Sequence, residues 1–72
     1  MISYAPLWAT MEEKHATTYT LQAKGEISSS TIRRLKAGES VSTNTLNALC
    51  RILRCGLPDI VEYIDDDQGQ AP

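Results

Sequence analysis

Phenylalanine is absent from this chain, and only one tryptophan (Trp8), one histidine (His15) and two cysteines (Cys50, Cys55) are present. Two cysteines and one histidine do not make a zinc site with four protein ligands. Cys50, if helical, should face a different way from Cys55, so both are expected to be reduced thiols, with Cys50 as a small core hydrophobe. Free thiols in a small domain suit a reducing compartment. His15 reads as a helix-end residue, and Trp8 as a packing residue. Also missing are a Cys–His–acid arrangement, a glycine-rich phosphate loop and paired carboxylates in an apolar setting, so no catalytic residue, metal or cofactor is expected. Residues 1–10 lack a basic start followed by an apolar run, and no apolar run is long enough to span a bilayer. A soluble, cytoplasmic chain without membrane contact is the expectation. No internal repeat and no strand-period alternation stands out.

What is present is compact. The 72 residues set one domain as the ceiling, and 42% hydrophobic content argues against disorder. The net charge of −2 hides an asymmetry. Residues 14–54 hold all seven basic side chains against Glu26 and Glu39, a net of +5, while residues 55–72 hold five acids and no base. A positive middle suits an anionic partner.

The periodicity predicts five short helices. Pro6 suits a first helical turn, with Ser3 or Tyr4 near the cap and Leu7, Trp8 and Met11 on one side, ending near His15. Thr17 is a candidate cap for a second helix from about Thr18 to Lys24, which buries Leu21 and is closed by Gly25. Ile27 plugs the turn. Ser28 caps a third helix, about Ser29 to Ala37, with Ile32 and Leu35 inward, Ser29, Ser30, Arg33, Arg34 and Lys36 outward, and Gly38 as the stop. Ser42 caps a fourth, about Thr43 to Arg54, whose Leu46, Leu49, Cys50 and Leu53 form the best apolar stripe. Pro58 opens a fifth, about Pro58 to Ile64, burying Leu57, Ile60, Val61 and Ile64. Residues 1–64 form the domain, and residues 65–72 read as a mobile acidic tail.

Two helices joined by a tight turn, the second exposing basic and hydroxyl residues, are what a major-groove reader needs. From Thr17 to Ile60 the chain resembles the Cro and lambda-repressor type of helix-turn-helix regulator. The resemblance is carried by Thr17, Thr18, Leu21, Ile27, Ser28, Ser30-Thr31-Ile32, Arg34, Leu35 and Gly38, then by Thr45-Leu46, Leu49, Leu53 and Asp59-Ile60. It implies an all-α, compact five-helix, lambda-repressor-like domain that binds double-stranded DNA and regulates transcription, with the helix at 29–37 entering the major groove. Carried over by position, Ser29, Ser30, Arg33 and Arg34 match base-reading and groove-facing sites, and Thr17, Thr18 and Ser28 match phosphate-contacting ones. Lys36 joins the phosphate set from its exposed charge. The chain departs from the family's habit at Thr18, Gln22 and Glu26, and a differently shaped turn is expected at Glu26.

One small domain reads few base pairs. A two-fold homodimer is therefore expected, with helix five and the chain ends as contact surface and Ile52 and Tyr63 as candidates for it. The rival reading is a protein-interaction module on the same fold, such as an antitoxin or accessory regulator acting through a protein partner.

Overall fold

The computed structural model describes residues 1–25 and 27–65. Four helices account for most of them: α1 (Ala5–Glu13), α2 (Thr18–Gly25), α3 (Ser29–Ala37) and α4 (Thr43–Leu53). A 3₁₀ turn follows at Leu57–Asp59. Strands β1 (Ile2–Ser3) and β2 (Glu62–Tyr63) pair antiparallel, with Ile2 opposite Tyr63 and Ser3 opposite Glu62. Glu26 and residues 66–72, and with them most of the expected tail, lie outside the described residues.

Each helix gives the core between one and three buried residues. Leu7, Leu21, Leu35, Leu49 and Ile60 are fully buried, and Met11, Ile27, Ile32 and Leu53 nearly so. Three of its members were not anticipated, one of them Ala48 on α4. Tyr4 is buried ahead of α1, and Thr10 is buried within it. The Thr10 hydroxyl donates to the Asp59 carbonyl at 2.8 Å, tying α1 to the 3₁₀ turn. A buried hydroxyl needs such a partner, and this one also fixes where the end of the chain crosses α1.

Helix five is corrected by the structure. Its seven residues would have had little propagation to offset nucleation, and Ile60, Val61 and Ile64 are β-branched. A single 3₁₀ turn forms instead, started by Pro58 and by the Asp59 carboxylate accepting the Gly56 N–H at 3.1 Å. The following residues then pair with the N-terminal strand. Ile60 is buried as expected, but Leu57 and Ile64 are exposed. The pairing continues past the two-residue strands, since the Ile64 N–H donates to the Met1 carbonyl at 2.8 Å.

Helix ends follow local chemistry closely. Three of them finish with a left-handed residue: His15 (φ 56), Gly38 (φ 77) and Arg54 (φ 54). After α4, the Cys55 N–H returns to the Cys50 carbonyl at 3.1 Å. This ending brings residues five apart together. Cys50 and Cys55 are thus neighbours, both half-buried and both free, rather than set on different sides.

Candidate nucleic-acid interface

The start of α2 is closed by a reciprocal pair of threonines. Thr17 Oγ1 accepts the Thr20 N–H at 3.3 Å, and Thr20 Oγ1 accepts the Thr17 N–H at 3.2 Å. Thr17 is exposed and Thr18 half-buried, both at the helix's positive end. Leu21 anchors α2 in the core, and buried Ile27 anchors the turn that follows.

Ser28 then caps α3. Its hydroxyl accepts the Thr31 N–H at 3.2 Å and donates to Thr31 Oγ1 at 3.0 Å. Ser30 Oγ lies 3.1 Å from it. With Ser28's proton spent on Thr31, the Ser30 hydroxyl donates to Ser28 and turns its lone pairs outward. Ser29 stands beside them, exposed. An anion meeting Ser28 would therefore find the free N–H groups of the first turn rather than the Ser28 hydroxyl.

Ile32 and Leu35 are the buried residues of α3. The opposite face carries Ser30, Arg33, Arg34 and Ala37, spaced i, i+3, i+4, i+7. These four, with Glu39, line one shallow cleft of about 310 Å³. Ser29 and Lys36 sit on the flank. Lys36 lines a separate cleft against Met1–Ala5 and Trp8, so the structure does not join it to Ser30, Arg33 and Arg34.

Glu39, beside Arg34, was missed in the sequence. Arg34 Nη1 lies 3.6 Å from Glu39 Oε1, with both side chains more than half exposed. The backbone explains the meeting. Gly38 takes the left-handed conformation, the Glu39 N–H turns back to the Arg34 carbonyl at 2.8 Å, and the side chain at position 39 comes level with position 34. The available signal was a glycine stop followed at once by a charge opposite to the one five residues earlier. Tyr4 was missed too. Its hydroxyl donates to the Glu39 carbonyl at 2.8 Å, pinning the α3–α4 connection to the start of α1. No local pattern announces that contact, which spans 35 residues.

Among the described residues, no three His, Cys, Asp or Glu side chains group so as to hold a metal ion. None of their helices is long and apolar enough to cross a membrane.

The family model of the Cro/C1-type HTH DNA-binding domain matches residues 6–66. The chain is also similar to the crystal structure of the transcriptional regulator VanUg (form II), at 32% identity and a TM-score of 0.81, over 88% of this chain and 84% of that one. No curated protein matches it.

Proposed function

The chain belongs to the family of Cro/C1-type helix-turn-helix DNA-binding domains, and we propose that it is a sequence-specific transcriptional regulator that acts by occupying DNA with α3 in the major groove. The observation that carries this reading is the outer face of α3. Ser30, Arg33 and Arg34 share one open cleft on the side opposite Ile32 and Leu35. A major groove admits one helix, and arginine can pair bidentately with guanine there.

In this reading Ser29, Ser30, Arg33 and Arg34 meet base edges, Ser30 as an acceptor. Thr17, Thr18 and the start of α3 at Ser28 meet phosphates through helix-start N–H groups and hydroxyls. Lys36 reaches a phosphate at the groove's edge from its flank. The working unit is residues 1–64, with residues 65–72 appended, and a DNA-binding role implies a cytoplasmic location. Regulation comes from concentration, a partner, or competition for the site.

The functional unit is a homodimer. Its contact surface is the strand pair and the 3₁₀ turn, where Met1, Ile2, Leu57, Tyr63 and Ile64 are large apolar residues left exposed. Ile52 is half-buried and packed on the core, which leaves Tyr63 the better candidate.

Selection from a random duplex pool tests the reading, and a palindromic consensus is the expected result. Arg34→Ala should then weaken the selected site more than random DNA, by about 1–3 kcal/mol, if the contact is bidentate. Equal loss on both would reduce Arg34 to a phosphate contact. Binding should also weaken steeply with salt. No duplex binding even at low salt would favour an antitoxin-like or accessory module that uses the fold to hold a protein partner.

A further inference from the structure

We propose that Glu39 is a positioning residue for base recognition, its carboxylate holding the Arg34 guanidinium in one orientation and so sharpening discrimination at the base that Arg34 meets. The inference rests on the reading of α3 as the helix that enters the groove.

Glu39 is delivered to Arg34 by a rigid frame. Its N–H is bound by the Arg34 carbonyl at 2.8 Å and its carbonyl by the Tyr4 hydroxyl at 2.8 Å. Tyr4 is itself 6% exposed, so the anchor is part of the core. Between the two bonds stands only the side chain, whose Oε1 is 3.6 Å from Arg34 Nη1 in the cleft shared with Ser30 and Arg33.

A water-exposed pair of this kind is weak, because solvent screens it and both long side chains lose freedom. In a groove the balance changes. Displaced water strengthens the attraction, and the frame has already met part of the ordering cost. Guanidinium has five N–H donors, of which a guanine edge takes two, so Glu39 can hold the fork from behind while its front reads the base. The same carboxylate repels phosphates, so a duplex that offers no guanine to Arg34 meets an uncompensated negative charge. Glu39 therefore lowers affinity for random DNA and raises selectivity.

Glu39→Gln tests this, since it keeps the shape and both backbone bonds and removes the charge. Fluorescence anisotropy is read on the selected duplex, its single-base variants and a random duplex, for wild type, Glu39→Gln, Arg34→Ala and the double variant. The expected result is tighter binding of random DNA by Glu39→Gln and loss of about tenfold discrimination at one base position. In the Arg34→Ala background, Glu39→Gln should change no base preference. A uniform gain on every duplex would overturn the inference, showing a carboxylate that only repels phosphate. Unaltered discrimination would overturn it as well. So would a change in base preference that persists without Arg34, since Glu39 would then read a base itself. In each of these cases the wild type still binds its site and the functional reading stands. Failure of the wild type to bind any duplex removes both.

Discussion

Tyr4 carries two roles that its position ahead of α1 does not suggest. Its ring fills the core, and its hydroxyl holds the connection after α3. Tyr4→Phe should keep the first and lose the second. It should cost about 1 kcal/mol in urea denaturation. Faster hydrogen exchange after α3 should accompany it. Cys55 gives a second prediction at this scale. Burial pushes its thiol above the ordinary value of 9.0, the neighbouring Cys50 and Asp59 add to this, and Lys14 opposes it. The thiolate is the reactive form, so iodoacetamide should modify Cys55 more slowly in the folded chain than in the unfolded chain at pH 8. The sign for stability follows. The folded state keeps this proton to higher pH, so stability is unaffected below 9.0 and falls as pH rises through the raised value. Arg33 and Arg34 were legible as exposed cations from their spacing alone. The carboxylate beside Arg34 was legible only as a glycine stop followed at once by an opposite charge, since the contact crosses the helix end that Gly38 shapes.

Helix starts were the most readable elements. Ser28 and Ser42 cap as expected, each accepting an N–H three residues on. Thr17 does the same for α2. Their chemistry is local, so no tertiary information was needed. Helix stops were less regular. Gly38 sits where a left-handed residue is needed, but His15 and Arg54 occupy the equivalent places after α1 and α4. Both line one cleft with Lys14 and Lys24. The cationic Arg54 side chain suits the negative end of α4, which partly offsets the backbone strain of a residue with a Cβ there. His15→Gly should relieve that strain and raise stability by about 0.5–1 kcal/mol, measured as a shift of the denaturant midpoint. A loss of stability would show that the His15 ring contributes more than its backbone costs. The segment after Pro58 misled because i, i+3, i+4, i+7 spacing is indifferent to length. Seven residues with three β-branched side chains settle for one turn when a strand partner is available.

At the scale of the molecule, residues 1–3 meet residues 62–64, and the meeting creates a surface. The strand pair gathers Met1, Ile2, Tyr63 and Ile64 beside Leu57, and each remains at least two-fifths exposed. Such a patch on a domain this small is costly unless something covers it. If a second copy does so, the double variant Ile2→Ser with Tyr63→Ser should shift sedimentation from dimer to monomer at micromolar concentration and weaken binding to a palindromic site. A monomeric wild type, alone and on DNA, would exclude the dimer.

The sequence by itself determined the four helices, the caps of α2, α3 and α4, most of the core stripe and the cationic face of α3. These rest on periodicity and on interactions spanning a few residues, which local composition encodes. Only the tertiary structure decided that the segment after Pro58 would be a turn and a strand, and that the Tyr4 hydroxyl would hold the Glu39 carbonyl. Those outcomes depend on which distant backbone groups are free to bond when the helices pack, and a linear pattern carries no record of that.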